Sequence, residues 1–181
     1  MRRKVTPETL QQFMKDLAVA ARSAGNIYFT GGTTALLLGF RDQTIDIDLK
    51  FDPEPIGVFE AIAVLKNRLD LNVKLASPGD FIPVAQDWRI QSQHIVHIGL
   101  LDFFHFDFSM QALSKIERGL AQDLADATRL VSGKHVTVLE LKRRFLQIEP
   151  ELLRYPAIDP RQFRIKLDRF LDGLERSQKH D

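Results

Sequence analysis

Cysteine is absent from this 181-residue chain. Disulfides and thiolate metal sites are thereby excluded, and a reducing cytoplasm is the simplest expected location. An excess of one charge is also missing: 25 Lys and Arg face 24 Asp and Glu, a formal net charge of +1. That disfavours a general polyanion binder and leaves only a local basic patch open. No apolar run approaches the roughly 20 residues needed to span a bilayer. The opening MRRKVTPETL is basic with no apolar run behind it, so no signal peptide is expected. Internal repeats and low-complexity segments are lacking too.

What is present suffices for a core, since 44% of residues are hydrophobic. The length suits one domain, or one domain with a helical extension. Thr6-Pro7 is a helix start, and Leu10, Phe13, Met14, Leu17 and Ala21 recur behind it at helical spacing. Ile27–Thr30 reads as a strand, Thr33–Leu38 as a short helix, and Thr44–Phe51 as a strand with period-two alternation. An amphipathic helix is expected over Pro55–Leu69, carrying Ile56, Phe59, Ile62, Ala63 and Leu69, and a strand over Leu71–Leu75. Two more strands, near His94–Ile98 and Leu101–Phe108, meet at Gly99. Helical stripes follow: Leu120, Leu124, Ala127 and Val131, then Val138, Leu141, Phe145 and Ile148, then Phe163, Leu167, Phe170 and Leu174. The expectation is α/β or α+β, a small mixed sheet with flanking helices over residues 1–110. Residues 111–181 would form a C-terminal helical region packed on it.

One stretch concentrates chemistry: FTGGTTALLLGFRDQTIDIDLK, Phe29 to Lys50. Gly31-Gly32 stands between a strand and a helix, where glycine lets another group approach the main chain. The helix start beyond it, with the Thr33 and Thr34 hydroxyls, suits a phosphate; a plain tight turn is the other reading. No GxGxxG or GxxxxGK[ST] is present. Asp46 and Asp48 lie at i and i+2 of a strand and share a face, while Ile45, Ile47 and Leu49 are expected to point into the core. Two carboxylates on one face repel, and a hard divalent cation such as Mg²⁺ relieves them. A solvated acidic face would need no metal. Asp107, in FFHFDFSM, is a candidate third carboxylate on a later strand. His105 shares that face, either to touch substrate or as a hydrogen-bonded structural residue. His94 and His97, at i and i+3, are expected on opposite faces of their strand.

The order Gly31-Gly32-Thr33, a short spacer, Asp46-Ile47-Asp48-Leu49 and then Asp107 resembles the nucleotidyltransferase fold superfamily. DNA polymerase β and the kanamycin and lincosamide nucleotidyltransferases belong to it. GFRDQTIDID further resembles an element of small bacterial nucleotidyltransferase-like proteins related to abortive-infection toxins of toxin–antitoxin pairs. DFIP, Trp88-Arg89, FHFD, QALSKIERGLAQDLADA and IEPELLRYPAID look like later segments of one such branch, so the likeness runs over residues 26–168. The resemblance implies a nucleotidyltransferase core moving a nucleoside monophosphate from an NTP, ATP among them, to an acceptor. Asp46 and Asp48 would hold one or two Mg²⁺ ions. Asp107 would act as general base and further metal ligand, and Gly31, Gly32 and Thr33 would cradle the triphosphate. Such catalysis is positioning plus charge neutralisation.

Other residues stay open between two roles. Arg41, Lys115 and Arg118 would contact nucleotide phosphates under the resemblance. Alternatively Arg41 is a structural ion-pair partner, and Lys115 and Arg118 pair with Asp123 and Asp126 on a solvated face. Lys50 shares the aspartates' face and could neutralise them. LKRRF (Leu141–Phe145), Arg161, Arg164, Lys166 and Arg169 make the tail mildly basic, which suits a tRNA acceptor, or else a core helix with a wet face. The expected function is a Mg²⁺-dependent nucleotidyltransferase with a tRNA or protein acceptor, the toxin of a pair with a cognate antitoxin. The alternatives are an antibiotic-type small-molecule nucleotidyltransferase and a non-catalytic nucleotide- or partner-binding module.

Overall fold

The computed structural model describes residues 2–178. Residue 1 and residues 179–181, the outer ends of the two expected regions, lie outside it. The order along the chain is α1 (Pro7–Ala20), β1 (Gly25–Thr30), α2 (Gly31–Leu37), β2 (Asp46–Phe51), α3 (Val58–Arg68) and β3 (Asn72–Leu75). A 3₁₀ turn (Pro78–Asp80), α4 (Trp88–Gln91), β4 (Gln93–Ile98) and β5 (Leu101–His105) follow. Then come α5 (Phe108–Arg118), α6 (Ala121–Ser132), α7 (Val138–Ile148), a 3₁₀ segment (Glu149–Arg154) and α8 (Pro160–Gln178). This is the expected mixed α/β architecture with flanking helices and a C-terminal helical stretch. No helix among the described residues is long and apolar enough to cross a membrane.

The chain divides into two units, Met1–Ser77 with Ser92–Phe106, and Pro78–Gln91 with Asp107–Asp181. The first holds the whole sheet, in the order β3-β2-β1-β5-β4. β1 is antiparallel to β2 and parallel to β5; β2 and β3 are parallel, and β4 and β5 antiparallel. Central β1 is buried along most of its length. Its Phe29 stacks on Phe103 of β5, centroids 5.7 Å apart. Ile27, Phe29, Ile47, Leu49, Val73 and Phe103 join Leu10, Phe13 and Leu17 of α1 and Val58, Ile62 and Leu65 of α3 in one core. Helix α1 begins as its sequence requires, with Thr6 and Thr9 forming a reciprocal cap and Pro7 in the first turn.

Four expectations need correction in this unit. β2 starts at Asp46, not Thr44, so Ile45 precedes the strand and is exposed, while Ile47 and Leu49 are in the core. α3 starts at Val58, not Pro55, after Gly57 in the left-handed region. Its inward phase is therefore Val58, Ile62 and Leu65, and Ile56, Phe59 and Ala63 remain exposed. β5 ends at His105, so neither Asp107 nor Phe108 is a strand residue. His94 and His97 do not part to opposite faces. The β4–β5 register slips between His94 and Val96, and this bulge brings both rings to Asp102 Oδ1, at 2.9 and 3.1 Å. Burial pushes the Asp102 carboxyl up, but the two histidine hydrogen bonds outweigh it and hold it below the ordinary range.

In the second unit α5 is buried from Phe108 through Ile116, on every side. Helices α6, α7 and α8 all pack against it. A helix so enclosed is the centre of its unit. Phe145 of α7 meets Phe163 of α8 edge to face at 5.0 Å. The stripe expected on α6 is borne out only in part: Ala127 is buried, Leu124 and Val131 are half-buried, and Leu120 is exposed. Asp123, Asp126 and Leu130 share the inward face, where Lys115 of α5 meets both carboxylates.

Phe103→Ala removes a fully buried ring from the sheet core. It is expected to cost about 3–5 kcal/mol in urea denaturation.

Candidate functional site

The register of β1 on β2 sets Thr30 opposite Asp48. β1 then passes straight into α2 at Gly31, so the glycine pair lands beside the second aspartate. Gly31 adopts φ +55, and a Cβ there would lie 2.7 Å from Asp48 Oδ2. Only glycine allows both that backbone and that approach. A Cβ on Gly32 would strike Thr44 Oγ1, with Arg41 Nη1 3.8 Å from the same point. Thr33 is fully buried, and its hydroxyl accepts the Asp48 N–H at 3.0 Å. The structure thus brings together Gly31, Gly32, Thr33, Arg41, Asp46 and Asp48. His105 is buried and bonds the Thr34 hydroxyl through Nδ1 at 3.4 Å, which is the structural alternative weighed for it.

Asp46 and Asp48 are both half-buried, while Ile47 and Leu49 between and beyond them are fully buried. The cation that meets Asp46 is Lys74 of β3, Nζ to Oδ2 2.6 Å. Asn72 donates to the other oxygen of the same carboxylate. The Asp46 hydrogen bond, against the pull of burial, holds the Lys74 ammonium above its ordinary pKa. Neither Lys74 nor Asn72 was legible as a site residue, because parallel pairing of β2 with β3 sets them there. The signal was confined to their alternation in NVKL.

Among the described residues no group of three or more His, Asp or Glu side chains is gathered to hold a metal ion. Mg²⁺ ordinarily takes one or two carboxylates and leaves the rest of its shell to water and substrate phosphates. A pair of hard oxygen ligands on one strand face suits that habit, provided Lys74 yields at Asp46.

Asp107 is placed in the second unit as the N-cap of α5. Its Oδ1 accepts from the N–H of Ser109 at 2.8 Å, the N–H of Met110 at 3.3 Å and the Ser109 hydroxyl. Its Oδ2 pairs with Arg144. Arg144 is fully buried, and also reaches Asp87 at 2.5 Å, Ser109 Oγ at 3.1 Å and Gln147 at 3.1 Å. Burial pulls the guanidinium pKa down; Asp87 and Asp107 outweigh it and raise it above the ordinary value. Hydrogen bonding from Arg144 holds the Asp87 carboxyl below its usual range. The sequence put Arg144 inside a basic stripe; it belongs to the interior.

Lys115 and Arg118 meet carboxylates, as the structural alternative had it, but the face is not solvated. Lys115 is buried, 2.8 Å from Asp126 and 3.3 Å from Asp123, and Arg118 lies 2.6 Å from Asp123. Asp123 Oδ2 is buried with no hydrogen-bond partner among the described residues. The tail's basic stripe is partly neutralised as well: Arg164 pairs with Glu149, and Lys166 with Glu117.

Arg144→Ala strands the Asp107 carboxylate and is expected to cost about 3–5 kcal/mol in urea denaturation. Arg164→Ala, at a half-exposed pair, should cost less than about 1 kcal/mol. The depressed Asp87 carboxyl contributes stability that is complete above about pH 4 and is lost as pH falls through its lower folded-state value. Asp87→Asn should therefore flatten the acid limb of a plot of urea midpoint against pH. Gly31→Ala, forced to φ +55 against Asp48, is expected to lose about 1–2 kcal/mol in the same assay.

No family model, no curated protein and no solved structure matches this chain.

Proposed function

We propose that this protein is a Mg²⁺-dependent nucleotidyltransferase that moves a nucleoside monophosphate from an NTP to an RNA or protein acceptor and releases pyrophosphate. What carries the reading is one arrangement: the Gly31 turn lies directly against the Asp48 carboxylate, on the strand that also bears Asp46. Asp46 and Asp48 would hold the metal. Bound there, it would neutralise the triphosphate and the charge of the leaving pyrophosphate. Gly31 and Gly32 leave room at the main chain, and Thr33 fixes the strand by accepting the Asp48 N–H. Arg41, whose Nη1 lies 3.8 Å from a Cβ built on Gly32, would meet phosphate oxygens. A role as toxin with a cognate antitoxin follows from the sequence resemblance alone.

One observation favours a second reading, a nucleotide- or partner-binding module without turnover. Asp107 is the expected general base, yet its carboxylate caps α5 and pairs with Arg144. Base chemistry would require it to leave those bonds.

Transfer of label from each α-³²P NTP, with Mg²⁺, to total bacterial RNA and protein tests the proposal. Label is expected in one of the two fractions, falling at least about a hundredfold in Asp46→Ala/Asp48→Ala. Label that persists in the double variant refutes the assignment of these carboxylates. Nucleotide binding without transfer to RNA, protein or a small-molecule panel selects the module.

A further inference from the structure

Parallel pairing sets Asn72 opposite Asp46 and Lys74 opposite Asp48. Both β3 side chains nevertheless converge on Asp46: Asn72 donates to Oδ1, and Lys74 reaches across to Oδ2 at 2.6 Å. Lys74 therefore stands diagonally over the pair, opposite Asp48 in register and on Asp46 with its ammonium. Without a cation, two carboxylates at i and i+2 of one strand face would repel each other. One ammonium relieves part of that repulsion.

The arrangement is built to be reversible. The Lys74 side chain is 54% exposed, against 19% for Asp46. A half-exposed lysine pair is weak, and the ammonium is a compact charge on a flexible four-carbon stem. A divalent cation brings twice the charge to the same oxygens and binds them directly. Asn72, carrying no charge, can keep orienting one Asp46 oxygen while Lys74 swings out into water.

We infer that Lys74 is the resident counter-ion of the Asp46–Asp48 face, neutralising it in the free chain and giving way when a divalent cation binds there. The inference rests on the metal-dependent reading proposed above. It differs from an ordinary structural ion pair in sign: removing a structural partner weakens a site, whereas removing a competitor tightens it.

Mn²⁺ alone, titrated into the full chain and followed as free ion by electron paramagnetic resonance, is the test. Lys74→Met and Lys74→Gln are expected to bind Mn²⁺ about three- to fivefold more tightly than wild type. Lys74→Arg should restore wild-type affinity, and Asp46→Asn/Asp48→Asn should abolish binding. Urea midpoints of the Lys74 variants should stay near wild type, since the side chain is half exposed. If wild type binds Mn²⁺ through the two aspartates and both neutral variants bind it equally or more weakly, the counter-ion role is overturned while the metal reading stands. If neither wild type nor the Lys74 variants bind Mn²⁺, the metal reading falls and takes the inference with it.

Discussion

The guanidinium of Arg144 has no contact with water, and the helical unit is organised around satisfying it. A buried arginine cannot shed its proton, so every one of its charge-assisted bonds has to be found in the protein. Asp107, Asp87, Ser109 and Gln147 supply them. This one requirement fixes several elements together. It ties α7 to the N-terminus of α5 and to the residue just before α4. It also holds the Asp107 carboxylate in the geometry that caps α5. Removing the arginine would leave a carboxylate stranded in the interior, which is why the loss is costly although the pair itself adds little net stability.

A cation also meets half-buried or buried carboxylates elsewhere in this nearly neutral chain. Lys115 on α5 meets Asp123 and Asp126 on the inward face of α6. Lys74 plays that part for Asp46 in the sheet unit. The pairs differ in burial, and burial decides what each can do. Arg144 and Lys115 are locked among packed helices. Lys74 is half in water, so its pairing can be exchanged for another cation at small cost. Lys74 thus differs from Arg144 and Lys115 in burial, and only the latter two are fixed parts of a packed interior.

That difference bears on function. The acid–glycine arrangement of the sheet unit is what a metal-dependent transfer to or from a polyphosphate would use. In the helical unit the basic stripe is reduced: Arg144 is interior, and Arg164 and Lys166 have acidic partners. An RNA acceptor would have to be recognised by the remaining exposed cations.

Much of the architecture was legible in the sequence because local rules set it. The Thr6-Pro7 cap, the alternation of Ile47 and Leu49 with the aspartates, and the passage from strand to helix at the glycine pair, which forms the start of α2, are decided within a few residues. Asp107 shows the limit. FFHFDFSM carries both a strand alternation and a helix N-cap; the structure takes the cap, and the Arg144 that meets the other carboxylate oxygen lies far along the chain. The bulge that unites His94 and His97 on Asp102 depends on β5 for its register, and the late start of α3 depends on a left-handed Gly57. The sequence by itself determined which segments become strands and helices, and that Asp46 and Asp48 share a face. Tertiary structure alone decided which cation meets which carboxylate, because an ion pair is fixed by distance in space and burial, and neither is encoded in separation along the chain.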